Sequence, residues 1–222
     1  GTPFFVFFGW LSDKVGRKWV MLIGMIVAVF SYRPIYESMY QTTNLENKEV
    51  IAAQTIEKAE IKNVDEKSDS IYTIQKSFTD GTTYKQVTTL HLENGQAKIV
   101  DGKVSEIVKK STHINSGDKW KLVGLIWIQI IFITMVYGPI AAFLVEMFPV
   151  KIRYTSMSLP YHVGNGIFGG LLPAVSTYLV TNAKNNGDPQ FYLEGLWYPI
   201  GIAAVCFIIG AIYISNKDRN VN

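Results

Sequence analysis

The sequence predicts an all-α membrane protein with a small extracytoplasmic insert, on three observations. Apolar runs with almost no charged residues occupy 19–32, 122–148, 155–181 and 195–214. A hydrocarbon core about 30 Å thick requires roughly 20 such residues in a helix. Most of the charge lies in residues 44–121. Basic residues are concentrated in the short loops between the runs, which is the pattern of loops on the cytoplasmic side of a membrane.

Each apolar run is predicted to be a helix, because only a helix satisfies its own backbone hydrogen bonds in lipid. Residues 1–11 are too short to span alone, so we interpret them as the end of a helix that begins upstream. That first run leads into Ser12 and Asp13 rather than into a small-residue cleavage site, which argues against a secretory signal peptide. The single cysteine, Cys206, lies in the last run, where it is expected to be a small buried apolar side chain.

The charge of the loops predicts the orientation in the membrane. If the runs cross in alternation, the basic loops 12–18 and 149–154 and the tail 216–222 share one side, which the positive-inside rule makes the cytoplasm. The segments 37–121 and 183–194 then lie outside. Because the cytoplasmic loops and lipid headgroups explain the net charge of +3, no nucleic-acid partner is expected.

Residues 37–121 are predicted to form an extracytoplasmic domain of α+β or β-meander type, with a disordered loop as the alternative. A short helix is expected around 46–59. Strands are expected at 70–78, 83–92 and 97–100, separated by Asp-Gly or Asn-Gly pairs at 80–81, 94–95 and 101–102. Such pairs favour hairpin turns, because type I′ turns need positive φ.

The histidines of this predicted domain, His91 and His113, have no neighbouring residues at metal-ligand spacing. We therefore expect no metal or cofactor. Docking of an extracytoplasmic protein partner is a hypothesis for the domain.

Charges at the predicted cytoplasmic edge are suited to form a latch between helices. Ser12 and Asp13 are helix-capping residue types, and Gly16 permits a sharp turn. Arg17 presents a planar fork of donors that fits a carboxylate, and Glu146 at the membrane edge needs a cation. We therefore predict a cytoplasmic gate formed by Asp13, Arg17, Glu146 and Arg153. The alternative is that these charges only set the topology.

A tyrosine in the run 122–148 is a candidate for solute binding. Tyr137 precedes Gly138 and Pro139, which interrupt regular helix geometry. It lies about 13 Å along the helix from Glu146, near the middle of a bilayer. Broken backbone at this depth is expected beside cavities, so Tyr137 is a substrate-binding candidate. A tyrosine that only packs is the alternative.

The run 155–181 places further polar groups at membrane depth. His162 and Asn165 lie three residues apart and share a helix face, and such groups usually face a bundle interior or a water-filled cavity. Tyr161 and Asn165 are substrate-binding candidates, and His162 is a proton-coupling candidate. The alternatives are a neutral His162 bonded to another helix and glycines, such as Gly166 and Gly170, that serve packing alone.

Two motifs resemble known transporters. Residues 9–18, GWLSDKVGRK, resemble the signature loop of the major facilitator superfamily. Residues 146–166, EMFPVKIRYTSMSLPYHVGNG, resemble the region around the tenth and eleventh helices of the metabolite:H+ symporter family within it. The first motif is specific to the superfamily and the second to the family. The resemblance covers residues 1–36 and 121–214, and the insert is a departure from it.

The resemblance implies the C-terminal part of a twelve-helix bundle in a bacterial cytoplasmic (inner) membrane, with alternating access driven by protons. It implies that the N-terminal half of the same transporter is a partner and carries much of the substrate site. The implied order along the chain is the end of helix 8, the motif loop and helix 9 at 1–36, the insert at 37–121, helix 10 at 122–148, a cytoplasmic loop and helix 11 at 149–182, an external loop and helix 12 at 183–215, and a cytoplasmic tail at 216–222.

The sequence therefore predicts a proton-coupled symporter of a small polar metabolite such as a carboxylate, a betaine or an amino-acid-like solute. The alternative is a non-transporting membrane subunit that anchors a partner-binding extracytoplasmic domain. An enzyme is not expected, because no nucleophile–base pair, phosphate loop or metal cluster stands out in the sequence.

Overall fold

The computed structural model describes residues 1–64, 67–93, 96–97, 99–100, 103–104 and 106–214. The predicted turns at 94–95 and 101–102 and the predicted tail 216–222 lie outside the described residues. The chain divides into two compact units. Residues Gly1–Tyr40 and Leu122–Asn222 form the first, here called the helical unit, and Gln41–Lys121 form the second, here called the insert unit.

The described helices follow the apolar runs. In chain order they are α1 (Thr2–Val15), α2 (Arg17–Thr43), α3 (Ser116–Met147), α4 (Arg153–His162), a π-helical segment (Val163–Gly169), α5 (Gly170–Asn185), α6 (Phe191–Glu194) and α7 (Trp197–Tyr213). Four helical stretches of the described chain are long and apolar enough to cross a membrane, at 17–43, 116–147, 153–185 and 191–213. The four predicted spans are thus confirmed as helices of sufficient length and apolarity.

Two helices extend beyond the apolar runs that predicted them. α2 continues through Pro34 to Thr43, and α3 begins at Ser116, before the first apolar residue of its run. Hydropathy marks where a chain would leave lipid, whereas the intrahelical hydrogen bonds can continue into water. The prediction from hydropathy therefore placed the end of α2 several residues too early and the start of α3 several residues too late.

Glycines allow the long helices to pack closely. A Cβ at Gly138 of α3 would lie 3.1 Å from the carbonyl oxygen of Phe5 and 3.3 Å from the amide nitrogen of Gly9, both in α1. A Cβ at Gly24 of α2 would lie 2.9 Å from the Cβ of Met135 in α3. Small residues are the usual means by which membrane helices approach closely. Gly138 therefore lies where α3 crosses α1.

The segment between α5 and α7 is held against α2 by aromatic and charged contacts. The Arg33 guanidinium lies 3.4 Å from Glu194 Oε1 and 4.7 Å from the centre of the Trp197 ring. The rings of Tyr40 and Tyr192 stack 3.6 Å apart. Arg33 lies about 24 Å and Tyr40 about 35 Å along α2 from Arg17, so these contacts are far from Arg17 along the helix.

The insert unit is built on an antiparallel sheet. Its strands are β1 (Ile56–Val64), β2 (Lys67–Ser77), β3 (Thr83–Glu93), β4 (Gln96–Ala97), β5 (Ile99–Val100), β6 (Lys103–Val104) and β7 (Glu106–His113). The sheet order is β1-β2-β3-β4, β7 pairs with β3, and β5 pairs with β6 separately. The pairs Ala59↔Tyr72, Tyr72↔Thr88 and Thr88↔Val108 show that β1, β2, β3 and β7 form one continuous sheet.

The predicted helix around 46–59 is wrong. Two short 3₁₀ turns occupy Leu45–Asn47 and Ala52–Gln54, and β1 begins at Ile56. The strands β1 and β7 were not predicted, since neither shows the strict alternation that marks a half-buried strand. β1 and β7 are strands because they pair with β2 and β3, and this pairing overrides their local propensity.

A Lys48 cluster joins the β2–β3 turn to the first turn of α3 within the insert unit. The Lys48 ammonium donates to the carboxylate of Asp80, to Thr82 Oγ1 at 3.0 Å and to Asp118 Oδ2 at 2.6 Å. The side-chain amide of Asn115 donates to both carboxylates, at 3.0 Å and 2.9 Å. Gly81 completes the turn with φ 85°, a value that glycine adopts readily.

The cluster changes the acidity of two of its members. Burial alone would raise the pKa of Asp80, but hydrogen bonds from Lys48, Thr82 and Asn115 hold the pKa of this carboxyl well below its usual value. Burial opposes the charged form of Lys48 as well, and its hydrogen bonds to Asp118 and Asp80 outweigh that effect and raise its pKa. Both shifts favour the charged forms.

Candidate functional site

Three of the charges predicted to form a gate meet at one end of the helical unit. Arg17 Nη2 lies 2.6 Å from Glu146 Oε1 and 3.2 Å from Asp13 Oδ1. Gly16 has φ 102°, which lets α2 start directly after α1 and places Arg17 one turn from Asp13. Glu146 lies in the last turn of α3. One guanidinium therefore links α1, α2 and α3, in what we call the Arg17 cluster.

Lys18 adds a contact that the sequence analysis missed. Its Nζ donates to the backbone oxygen of Ala211 at 2.9 Å, near the C-terminus of α7. The last carbonyls of a helix lack intrahelical donors and carry partial negative charge, which a cation satisfies. The signal available in the sequence was that the basic loop 12–18 and the end of the last apolar run are predicted to lie on the same side of the membrane.

Arg153 and Ser12 have other partners. Arg153 Nε donates to the backbone oxygen of Phe148 at 3.2 Å, and it makes no ion pair with the residues that the structure describes. Ser12 is buried inside α1, and its Oγ donates to the backbone oxygen of Gly9 at 2.6 Å. Ser12 therefore does not cap a helix, because α2 begins only after Gly16.

A cleft of about 210 Å³ brings together the three residues predicted to bind a solute. α3 contributes Tyr137, Ile140 and Leu144, α4 contributes Pro160 and Tyr161, and the π-helical segment contributes Gly164 and Asn165. Both tyrosines and Asn165 were predicted from the sequence, whereas the apolar lining residues were not.

The cleft lies where the helix backbone is irregular. Pro160 has no N–H to donate to the preceding turn, and the π-helical segment that follows replaces i→i+4 hydrogen bonds by i→i+5 bonds. The segment is rich in glycine, and a Cβ at Gly164 or Gly166, or at Gly170 just after it, would meet no atom within 4 Å apart from the backbone of its own helix. Both the missing N–H of Pro160 and the π-helical hydrogen bonding leave backbone carbonyl groups available to other hydrogen-bond donors. Glycine content was the only sign of the π-helix in the sequence.

His162 lies beside the cleft and is not among the residues that line it. Its ring is exposed and contacts the ring of Tyr161 edge to face, with centroids 6.2 Å apart. The structure therefore places His162 next to a candidate solute-binding residue and on the end of α4.

The chain is similar to bacterial transporters over part of its length. It is 29% identical over 94 residues to a citrate-proton symporter of Klebsiella pneumoniae, which is 42% of this chain and 19% of the relative. It is 33% identical over 107 residues, or 48% of this chain and 22% of the relative, to a Haemophilus influenzae protein assigned as a metabolite transport protein. A Staphylococcus aureus (strain COL) protein assigned as a proline/betaine transporter is 36% identical over 62 residues, 28% of this chain and 13% of the relative.

No family model matches the chain, and no solved structure matches it. The chain spans about a fifth or less of the length of these curated relatives. The comparisons confirm the resemblance to proton symporters and metabolite transporters that the two motifs indicated. Together with the four spans, they indicate an integral membrane protein.

Proposed function

We propose that the protein is a secondary active transporter that couples the movement of a small polar solute to protons. The chain is proposed to form the C-terminal part of a twelve-helix bundle in a bacterial inner membrane. One relative is a citrate-proton symporter and another is assigned as a proline/betaine transporter. Citrate, proline and betaine are therefore the first solutes to be tested. The observation that carries the proposal is the cleft between α3 and the helix 153–185, lined by Tyr137, Tyr161 and Asn165.

The irregular backbone supports this role for the cleft. In a bilayer, backbone that departs from regular helix is tolerated where it is buried in protein or lines a water-filled cavity. Discontinuous helices in transporters supply their binding sites for the same reason. Pro160, the π-helical segment and Asn165 meet at such a place in one span. A solute could hydrogen-bond there to phenol hydroxyls, the amide and backbone carbonyls.

The Arg17 cluster is proposed to act as a latch on the cytoplasmic side. Arg17 holds α1, α2 and α3 together through two carboxylates, and breaking these pairs would let the helices separate when the protein opens inward. The insert unit then lies outside the cytoplasm. Arg153 is proposed to support the loop after α3 through the Phe148 carbonyl rather than through the latch.

His162 remains a candidate for proton coupling. It is exposed beside Tyr161, so a proton could reach it from a water-filled cleft. In a His162→Gln variant we expect the pH dependence of transport between about pH 5 and 8 to change. An unchanged profile would exclude the role.

The test of the proposed function is uptake by the full-length protein in proteoliposomes. An inward proton gradient should drive accumulation of a radiolabelled solute from a panel of carboxylates, betaines and amino acids, and a protonophore should abolish it. Asn165→Ala should lower uptake at least about tenfold, whereas Asn185→Ala, at the end of α5 away from the cleft, should not. Gradient-independent uptake, or none for the whole panel, would contradict the proposal.

A second candidate is a non-transporting membrane subunit that presents the insert unit to an extracytoplasmic partner. The compact insert unit, with a sheet of its own, favours this candidate. The cleft and the Arg17 cluster favour transport, because a simple anchor needs neither.

A further inference from the structure

A tyrosine on α7 forms a hydrogen bond with the backbone of the π-helical segment. The Tyr198 hydroxyl donates to the backbone oxygen of Phe168 at 3.0 Å. Phe168 lies next to the end of the segment, which runs from Val163 to Gly169. The contact therefore joins α7 to the part of the helix 153–185 that departs from α-helical geometry.

The Tyr198 hydroxyl supplies a donor at a place where the backbone lacks one. Pro173, in the first turn of α5, has no N–H. It can donate neither to Phe168, five residues earlier in the π-helical register, nor to Gly169, four residues earlier in the α-helical register. Backbone groups at membrane depth must find their partners within the protein. Tyr198 therefore compensates in part for the donor that the proline removes.

The position of Tyr198 is fixed against α5 by the residues just before it. Gly195 packs so closely on α5 that a Cβ there would lie 3.0 Å from the backbone oxygen of Ser176 and 2.9 Å from Val180 Cγ2. Ser176 Oγ also donates to the backbone oxygen of Gly195 at 2.8 Å. The start of α7 and the body of α5 are therefore packed together, and the Tyr198 hydroxyl reaches Phe168 from a defined place.

The π-helical segment determines which side chain before it lies at the cleft. A π-helical turn contains one more residue than an α-helical turn, because its hydrogen bonds join i to i+5 instead of i+4. If the segment became α-helical, the residues before it would rotate by about 100° relative to α5. Counted back from α5, each place before the segment would be reached one residue sooner. The place of Tyr161 at the cleft would then pass to His162, which lies beside the cleft in this structure.

We propose that Tyr198 is a positioning residue that controls the register of the helix 153–185. With its hydrogen bond in place, the segment is π-helical and Tyr161 lines the cleft. Without that bond, the segment becomes α-helical and His162 takes the place of Tyr161. The inference goes beyond the proposed function, since it concerns the helix register and holds whether or not the cleft binds a solute.

Cross-linking of cysteine pairs in the detergent-purified full-length protein measures the register. Ile140→Cys, on the α3 side of the cleft, is combined with Tyr161→Cys in one protein and with His162→Cys in another. Both proteins carry Cys206→Ser, which removes the native thiol. A short bifunctional thiol reagent should link position 140 to position 161 more than to position 162. In Tyr198→Phe the ratio of the two yields should fall about two- to tenfold, the change that loss of one neutral hydrogen bond makes to an equilibrium.

Tyr178→Phe is the matched control, because it removes the hydroxyl of an exposed tyrosine on α5, and it should leave the ratio of yields unchanged. Elution of Tyr198→Phe as a single species, at the volume of the unaltered protein, shows that the variant is folded. An unchanged ratio in this folded variant would overturn the proposal, and so would preferential linkage to position 162 while Tyr198 is present. Neither result depends on transport, so the liposome assay tests the proposed function separately.

Discussion

At the scale of single residues, glycines of similar appearance in the sequence have different roles in the structure. Gly138 and Gly124 both lie in α3, yet only Gly138 faces backbone atoms of another helix. A methyl group at Gly138 would press on the backbone of Phe5 and Gly9, which cannot rotate away. Nothing lies within 4 Å of a Cβ at Gly124. This difference depends on helix packing, so residue type alone could not predict it.

Alanine at these two glycines should have different effects on stability. Gly138→Ala should lower the stability of the detergent-purified protein by about 1–3 kcal/mol, because the added methyl overpacks a helix crossing. Gly124→Ala should leave it unchanged or raise it by up to about 1 kcal/mol, because alanine favours the helix. Thermal unfolding followed by circular dichroism measures both. Equal changes in stability for the two substitutions would contradict the close packing of α3 against α1 at Gly138.

The ion pair between Arg17 and Glu146 should couple two residues that are 129 positions apart. Both side chains are partly exposed, so the pair should contribute only about 0.2–1 kcal/mol to stability. Its effect on transport should be larger if it is a latch. Arg17→Gln and Glu146→Gln should each lower the uptake rate, and the double variant should lower it little further, because either change breaks the same contact.

Uptake by the unaltered protein, by the two single variants and by the double variant measures the coupling between Arg17 and Glu146. Lys14→Gln is the control, because the Lys14 ammonium lies over the Trp10 ring and not against either carboxylate. Losses that add in the double variant would show that the two residues act separately. The ion pair between Arg17 and Glu146 was predictable from charge and topology. The hydrogen bond from Arg153 to the Phe148 carbonyl was not, because it depends on the local conformation of the loop after α3.

At the scale of elements, the Lys48 cluster makes the insert unit sensitive to acid. The pKa of Asp80 is lower in the folded protein than in the unfolded chain, so its contribution to the free energy of unfolding is complete above the unfolded pKa of about 3.9. That contribution is lost progressively as the pH falls towards the folded pKa. Protection of β2 and β3 from hydrogen exchange, corrected for intrinsic rates, should therefore decline below about pH 4.

Asp80→Asn should reduce this dependence and lower protection at neutral pH, because the asparagine cannot pair with Lys48 as a charge. Asp188→Asn, in the connector after α5, is the matched control and should leave the exchange of β2 and β3 unchanged. The same pH dependence in Asp80→Asn and in the unaltered protein would assign the acid sensitivity to other groups.

The elements also show which sequence patterns carry structural information. Twenty-residue apolar runs specify helices because lipid leaves no other choice, and all four were predicted. The strands β2 and β3 were predicted from alternation beside Asp80 and Gly81. The strands β1 and β7, with lysine and glutamate spread along them, become strands only by pairing with β2 and β3. The π-helical segment likewise depends on packing around Pro160 and the glycines that follow.

At the scale of the whole molecule, the transport and anchor hypotheses assign the essential role to different units. In the first, the cleft and the Arg17 cluster lie entirely in the helical unit, and the insert unit is an addition. In the second, the helices only hold the insert unit in the membrane. The sequence motifs favoured transport, but they lie outside the insert and could not define its role.

Deletion of the insert separates the two hypotheses. Replacing residues 44–115 by a flexible glycine–serine linker keeps α2 through Thr43 and α3 from Ser116, and a linker of about 12 residues allows the ends a wide range of separations. Proton-driven uptake by the shortened full-length protein should remain within about threefold of the unaltered rate, because each residue of the cleft and of the Arg17 cluster is retained. The control combines the deletion with Asn165→Ala, which should then lower uptake as it does in the complete chain. Loss of uptake in a shortened protein that still reaches the membrane and elutes as a single species would mean that the insert unit takes part directly in transport.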